Sequence, residues 1–268
     1  MGLLGLALVV GGGLLAGQEE ARFERKAASE IESKLQNVRG DVSVNVTGNG
    51  LAAAWGDLSS ATITAHGFSL DSLPLFTEPE RSRAGKIGTL SLRLSDFTLR
   101  KLRIESLDAD IPDCRYDFGL AKSRGLIRLS HSGTGVGTVR ILEQDLAEYL
   151  VKKYHEIKRC TVRVDRGFVW VEGYGEFIIV NSNFTVIAKL QVEDGTKLML
   201  VQPKIYFDWV RTDAFTTGAL LKTLNPVVDL REDLGLHDAV YVREIQLQAG
   251  VLTASGDTKI PLLPTDNE

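Results

Sequence analysis

The feature that most constrains this fold is the alternation of apolar and polar residues, which has the period of two typical of β-strands. The alternation is nearly continuous between Cys160 and Val210. Two segments in this stretch, residues 168–171 and 177–180, are apolar at every position. Both faces of those strands therefore need shielding from water. The sequence predicts a β-rich fold whose strands are covered on one side by a helix and on the other by a second layer.

A helix followed by a strand is predicted from Glu19 to Thr47. Its apolar residues recur at spacings of three and four, as on one face of a helix, and Val42, Val44 and Val46 then alternate as in a half-buried strand. A similar order of residues returns from Val139 to Asp165. The two segments are either copies of one unit or two unrelated junctions between a helix and a strand.

A regular alternation of leucines lies inside a basic stretch of the chain. Leu90, Leu92 and Leu94 alternate cleanly until Asp96, which is the single acid between Arg81 and Arg103. The C-terminal part of the chain is acidic by contrast. One end of the molecule is therefore expected to be basic, although each of these charges taken singly also fits a solvated sheet face.

Length and composition indicate an ordinary folded protein. The chain has 268 residues, of which 44% are apolar, enough for a sizeable core. The net charge is −4 and the pI is about 5.7, so no general attraction to nucleic acid is expected. Since no linker divides the chain after Gln18, we predict one domain over residues 18–264 and a polar tail over residues 265–268.

The N-terminal segment, residues 1–17, contains no charged side chain. Its length and apolar block suit a signal peptide or an N-terminal membrane anchor. No basic residue precedes the block, whereas Arg22, Arg25 and Lys26 follow it, and that bias favours a cytoplasmic location for the rest of the chain. These residues alone leave export and retention open.

Signals of catalysis, metal binding and nucleotide binding are weak. The four histidines are scattered, without metal-ligand spacing, and no serine nucleophile motif is present. The glycine run at residues 132–137 lacks the third glycine of a dinucleotide motif and the Lys-Ser/Thr pair of a P-loop. Cys114 and Cys160 fit either one disulfide or, slightly better, two separate buried thiols. We expect no enzymatic activity, no metal and no cofactor.

The order of these segments resembles the LmeA-type phospholipid-binding proteins of bacterial cell envelopes. The matching segments are the apolar N-terminus, the helix Ala21–Val38 with the strand Val42–Val46, Gly56–Ile63, Val139–Leu150, Val162–Val169, Leu198–Ile205 and Gly250–Leu252. The chain departs from the family at Leu234-Gly235-Leu236, where a Leu-Pro is usual, and in lacking a basic leader.

The resemblance implies an α+β fold, similar in plan to tubular lipid-binding proteins, in which a strongly curved antiparallel β-sheet is wrapped around a long amphipathic helix. It also implies an extracytoplasmic protein of the periplasm or cell envelope with an apolar groove. No catalytic residue is carried over from the family.

We therefore expect non-enzymatic binding of a membrane phospholipid, with transfer left open. The expected partners are an anionic phospholipid and the membrane surface. The candidate lipid-binding residues are large and apolar and lie in the second half of the chain: Phe168, Trp170, Phe177, Ile179, Phe207 and Trp209. The candidate headgroup-binding residues are Arg100, Lys101 and Arg103. The alternative is a membrane-anchored structural or envelope-assembly protein without a lipid ligand.

Overall fold

Strands dominate the computed structural model, which describes residues 21–71, 76–176 and 181–262. The helices in these residues are α1 (residues 21–34), α2 (Phe118–Arg124), α3 (Glu143–Lys153) and α4 (Ala214–Leu224), with a 3-10 helix at Gly50–Trp55. The first strands are β1 (Val42–Gly48), β2 (Asp57–Leu70), β3 (Gly85–Leu99), β4 (Leu102–Tyr116), β5 (Leu129–His131), β6 (Gly135–Leu142) and β7 (Ile157–Asp165). The others are β8 (Phe168–Glu176), β9 (Asn181–Glu193), β10 (Lys197–Phe207), β11 (Val210–Arg211), β12 (Val228–Asp229), β13 (Val240–Gln248) and β14 (Val251–Thr258).

The strands form two sheets. The large sheet has the order β1-β2-β3-β4-β6-β14-β13, with β5 on β4, and the small sheet has the order β11-β10-β9-β8-β7, with β12 on β10. The predicted α+β class is confirmed. The expectation of a purely antiparallel sheet is wrong, because β2 and β3 are parallel. The connection of residues 71–84 is long enough to return along the whole of β2, about 46 Å at 3.3 Å per residue.

Two rows of irregular pairing cross the three long strands of the large sheet. In each row one residue of β2, one of β3 and one of β4 are left out of the pairing: Ser59, Gly88 and Asp113 in the first row, and Gly67, Asp96 and Glu105 in the second. Gly67, Asp96 and Asp113 have φ values of 65°, 49° and 48°. A residue with positive φ interrupts the extended conformation of a strand, so the aligned rows bend the three strands together and curve the sheet. The interruption at Asp96 lies within β3, which continues to Leu99.

The inner face of the small sheet packs against α3 and the large sheet. Val164, Ala188 and Ile205 are buried on its inner face, in one cluster with Tyr149 of α3 and Leu102 of the large sheet. A second cluster of buried residues lies at the opposite end of β2, β3 and β4, around Tyr116. The two clusters leave the middle of the large sheet less tightly packed.

The helix α1 lies along the concave face of the large sheet. Ala27 is buried, Phe23 packs against the cluster around Tyr116, and Leu35 packs against the larger cluster. The predicted wrapping of the sheet around this helix is not confirmed. The concave face surrounds an open space instead, and α1 forms only part of its wall.

The predicted repeat of a helix and a strand has a structural counterpart. α1 leads to β1 and α3 leads to β7, and each of these strands ends the strand order of its sheet. The Glu24 carboxylate accepts a hydrogen bond from the Val46 N–H at 2.8 Å, and the Glu143 carboxylate accepts one from the Val164 N–H at 3.0 Å. Both helices therefore satisfy an unpaired amide of a terminal strand, which favours the interpretation as copies of one unit.

The second unit differs from the prediction in where its helix begins. Ile141 and Leu142 belong to β6, and α3 starts at Glu143. Val139 pairs with both β4 and β14, and Ile141 pairs with β14 alone. Both residues are β-branched, and these tertiary contacts decide their conformation. The glycine run is part of the same strand: a Cβ on Gly135 would lie 1.9 Å from the Asp110 carbonyl oxygen, so glycine permits the close approach of β6 to β4.

The two cysteines are separate thiols, as the sequence slightly favoured. Cys114 is buried in the large sheet and Cys160 is half-buried in the small sheet. Burial raises the pKa of each thiol to about 11, so both are protonated at neutral pH.

The predicted domain division stays a prediction, since residues 1–17 and 265–268 lie outside the described residues. Within residues 21–71, 76–176 and 181–262, none of the helices has the length and apolarity to cross a membrane.

Candidate functional site

An apolar cavity of about 290 Å³ lies inside the curve of the large sheet. Its wall is made by side chains of β1 to β4, β6, β13 and β14, together with α1 and the loop that follows β12. The cross-strand register aligns Ile63 with Leu92 in one row and Leu94 with Leu107 and Val139 in the next. These five side chains lie in the middle of the sheet and yet are only half-buried. They pack against the two core clusters only in part, and the rest of their surface borders open space.

The alternation along β2 explains which side chains reach the cavity. Ile63 lies in the cavity wall, whereas its neighbour Thr64 is exposed on the outer face. Successive residues of a strand point to opposite faces, so every second residue of this strand segment is available to the wall. The wall is built mainly from aliphatic side chains, together with the rings of Phe23, Phe68, Phe76 and Phe97. These side chains can contact a flexible apolar ligand through dispersion and burial but offer no hydrogen bonds.

One rim of the cavity carries an internally satisfied polar cluster. The Arg128 guanidinium lies 2.6 Å from the Glu30 carboxylate of α1 and 2.8 Å from the Glu78 carboxylate. Glu30 also accepts a hydrogen bond from the Ile127 N–H at 3.3 Å. These pairs tie α1 to the loop before β5. Because its charge is matched by two acids, Arg128 contributes little net positive charge to this rim.

The rim formed by the end of β14 differs. Asp257 is paired with Arg243 at 2.7 Å, but the Lys259 ammonium makes no hydrogen bond or ion pair with any residue that the structure describes. Lys259 is also the only lysine or arginine in the described part of the cavity wall. It is therefore the cation that a negatively charged group at the cavity could meet.

Two of the predicted lipid-binding residues, Phe168 and Trp170, lie on the outer face of the small sheet. The Arg163 guanidinium lies 4.9 Å from the centre of the Trp170 ring, and the Lys189 ammonium lies 5.4 Å from that of Phe168. The aliphatic stems and cationic heads of Arg163 and Lys189 thus cover these aromatic rings. The second cover that the apolar strand needs is supplied there by the protein itself.

The other predicted lipid-binding residues are also outside the cavity wall or outside the described residues. Phe207 packs against the larger core cluster, and Trp209 is 86% exposed in the turn between β10 and β11. Phe177 and Ile179 lie outside the described residues. The ring centres of Phe168 and Trp170 lie 5.8 Å apart. The structure does not, however, bring the predicted lipid-binding residues together around one cavity.

Arg100 and Lys101, two of the three predicted headgroup residues, lie in the turn between β3 and β4. Arg100 donates hydrogen bonds to the backbone carbonyl oxygens of Asp71 at 3.1 Å and Glu232 at 2.7 Å. Lys101 is exposed and donates to the Lys152 carbonyl oxygen at 3.4 Å. The role of Arg100 in this geometry is to hold the turn against a neighbouring loop.

Arg103, the third predicted headgroup residue, is paired with two acids. Its guanidinium lies 3.1 Å from the Asp145 carboxylate and 2.5 Å from that of Asp96. The hydrogen bonds to Asp145 and then to Asp96 raise the pKa of Arg103 above its usual value. The basic stretch of the sequence is therefore divided, with Arg81 at one end of the hairpin of β3 and β4 and Arg103 near the other.

The aliphatic wall of the large sheet is the candidate ligand-binding surface that the sequence analysis missed. Its signal was present in the clean alternation of Leu90, Leu92 and Leu94, but alternation alone does not distinguish a wall from a packed core. The search for large aromatic residues led to the small sheet, whose faces the protein covers itself.

We expect Arg103→Gln to destabilise the fold without changing lipid binding. The Asp145 side chain is 3% exposed, so loss of its charged partner leaves a buried carboxylate unpaired and lowers the free energy of unfolding by about 3 kcal/mol. Lys101→Gln, a neutralisation two residues away on the surface, should change it by less than about 0.5 kcal/mol. Urea unfolding measures both. Unchanged stability of Arg103→Gln together with weaker binding to anionic vesicles would instead support the headgroup role.

Comparison with known proteins assigns the chain to one family. In the described residues no group of three or more His, Cys, Asp or Glu side chains could hold a metal ion. Searches of curated proteins and of solved structures found no match. The model of one family, described as LmeA-like phospholipid-binding, matches residues 19–257, which include every described strand except the end of β14. The chain therefore belongs to the LmeA-like phospholipid-binding family.

Proposed function

We propose that this protein binds a phospholipid by taking its acyl chains into the cavity of the large sheet. The observation that carries the proposal is a wall of half-buried aliphatic side chains in the middle of the sheet, Ile63, Leu92, Leu94 and Leu107 among them. Membership of a phospholipid-binding family supports the same ligand class. No step of the proposed activity is catalytic.

The energetic cost of an unfilled cavity supports a resident ligand. A dry void of 290 Å³ would cost about 7 kcal/mol at about 24 cal/mol per Å³, comparable with the whole stability of a typical domain. Water would gain little in such a cavity, because an aliphatic wall gives it few hydrogen-bond partners. Each buried methylene of an acyl chain contributes about 0.8 kcal/mol, so burial of about nine methylenes offsets the void.

The headgroup is proposed to lie at the rim near Lys259. The Lys259 ammonium has no partner among the described residues, and an anionic phosphate would supply one. The preference for an anionic phospholipid therefore rests on this residue in place of Arg100, Lys101 and Arg103, whose described contacts are with the protein.

The proposed place of action is the cell envelope, outside the cytoplasm, where the protein would bind lipid at a membrane surface and release it again. The uncharged segment of residues 1–17 supports export or anchoring. The alternative of an assembly protein without a ligand requires that the apolar faces be filled by the protein itself. The small sheet is covered by the protein in this way, but the cavity of the large sheet is not. The alternative therefore leaves that cavity unexplained.

We expect Ile63→Trp to weaken lipid binding at least about tenfold while the fold is retained. The indole would occupy the cavity, and displacement of only two methylenes costs about 1.6 kcal/mol, or at least about tenfold in affinity. The matched control is Thr64→Trp, which places the same side chain on the outer face one residue away. Native mass spectrometry of the purified proteins measures bound lipid, and circular dichroism with a thermal melt checks the fold. Equal amounts of lipid on both folded variants would contradict the cavity as the binding site.

We further expect Lys259→Gln to reduce the preference for anionic over neutral phospholipid and to leave the binding of neutral phospholipid unchanged. Removal of the ammonium deletes the attraction for phosphatidylglycerol but not the burial of its acyl chains, so the ratio of phosphatidylglycerol to phosphatidylcholine bound from mixed vesicles should fall. Competition between the two lipids, measured by mass spectrometry of the recovered protein, gives this ratio. The control is Lys204→Gln, an exposed lysine of the small sheet. An unchanged ratio for Lys259→Gln would place the headgroup elsewhere.

A further inference from the structure

Two exposed apolar side chains project from the end of the large sheet that is farther from the small sheet. We call this end the distal tip; it comprises the 3-10 helix Gly50–Trp55, α2 and the first turns of α1. Leu51 is 95% exposed and Trp55 is 79% exposed. Large apolar side chains exposed side by side on a short segment are typical of a surface that meets a partner or a membrane.

The 3-10 helix is held rigidly on the sheet. The Tyr116 hydroxyl donates a hydrogen bond to the Gly56 carbonyl oxygen at 3.2 Å, and burial raises the pKa of Tyr116 to about 12, so it remains a donor. The Phe118 ring packs edge-on against Tyr116, with ring centres 6.4 Å apart. It also covers Gly56, where a Cβ would lie 2.5 Å from the ring. Trp55, the residue before Gly56, is therefore presented on a fixed platform.

Basic side chains surround this platform. Lys122 lies above the Phe118 ring at 5.9 Å, and Arg124 follows it in the last turn of α2. The Lys26 side chain of α1 contacts Gly125, directly after that turn. Lys26, Lys122 and Arg124 are exposed and form no ion pair with another described residue. Their charges are available to an anionic surface.

The acids at the distal tip mostly serve internal contacts. Asp117 caps α2 by accepting a hydrogen bond from the Leu120 N–H at 2.9 Å, and Glu24 accepts one from the Val46 N–H. Asp57 accepts one from the Asn49 side chain at 3.4 Å. This end of α1 is preceded in the chain by Gln18, Glu19 and Glu20 and, before them, by residues 1–17, which carry no charge.

A second exposed apolar site, at the turn between β10 and β11, has the opposite electrostatic surroundings. Trp209 and Phe215 are each 86% exposed. Trp209 directly follows Asp208, and Phe215 lies two residues after Asp213. Both acids are exposed, and Arg211 lies between them in the chain. An anionic membrane would repel two of the three charges here, whereas it would attract the basic side chains of the distal tip.

From this contrast we infer that the distal tip docks on the surface of an anionic phospholipid bilayer, with Leu51 and Trp55 inserted at the level of the headgroups. Tryptophan is favoured at that depth because its ring is apolar and its N–H can still be hydrated. Lys26, Lys122 and Arg124 lie beside the inserted side chains and contact the lipid phosphates. Leu51 and Trp55 are not part of the described cavity wall, so the inference does not depend on what the cavity binds.

The test uses the natural fluorescence of the full chain, which has three tryptophans. Trp170→Phe with Trp209→Phe leaves Trp55 as the only tryptophan, and Trp55→Phe with Trp170→Phe leaves Trp209. Each variant is mixed with vesicles of palmitoyl-oleoyl phosphatidylglycerol and brominated phosphatidylcholine, whose bromines quench a tryptophan that enters the bilayer. We expect quenching and a blue shift of the Trp55 emission, and no change in the Trp209 emission.

The charge requirement is tested in the variant that retains Trp55. Lys122→Gln with Arg124→Gln should raise the lipid concentration for half-maximal quenching about thirtyfold, from about 1 kcal/mol for each basic residue near an anionic surface. Lys204→Gln with Arg211→Gln, two exposed basic residues of the small sheet, is the matched control and should leave it unchanged. The inference is overturned if Trp209 is quenched as strongly as Trp55, if neither is quenched, or if both double substitutions act equally. None of these outcomes bears on lipid uptake by the cavity, which Ile63→Trp tests separately.

Discussion

The curvature of the large sheet is the constraint on which the rest of the structure depends. Two rows of irregular pairing, which include Gly67, Asp96 and Asp113 with positive φ, cross the long strands β2, β3 and β4 and bend them together. The bend turns one face inward along its whole length. The side chains at each end of that face meet a packed cluster, but those in the middle, such as Leu92, do not reach across. The cavity is therefore a consequence of the backbone geometry, lined by residues that an ordinary core would bury completely.

The two halves of the chain share one arrangement of a helix and a terminal strand, but they differ in how closely they are packed. In each, a helix precedes the terminal strand of a sheet, and a glutamate of the helix, Glu24 or Glu143, accepts a hydrogen bond from an amide of that strand. The half that contains α3 packs its helix and small sheet into a closed core around Tyr149. The half that contains α1 retains the open space. This division would let one half provide stability while the other holds a ligand.

Local patterns predicted the elements well, and long-range geometry explains what they could not predict. The strand with Val42, Val44 and Val46 and the helix before it follow from spacing alone, whereas the α+β class was implied by the resemblance to LmeA-type proteins. The interruption at Asp96 and the parallel pairing of β2 with β3 depend on neighbouring strands, which a single segment does not reveal. Phe168 and Trp170 were candidates because their strand is apolar on both sides. Their rings are covered by Arg163 and Lys189, which lie on the two neighbouring strands.

The most direct test of the central claim is to map where an acyl chain lies in the protein. A phosphatidylglycerol with a photoreactive diazirine in its acyl chain is bound to the full chain and irradiated, and peptide mass spectrometry then locates the covalent adducts. The account predicts adducts on inward residues of β2, β3 and β4, such as Ile63, Leu92 and Leu107. Adducts confined to the outer face of the small sheet, around Trp170, would contradict it.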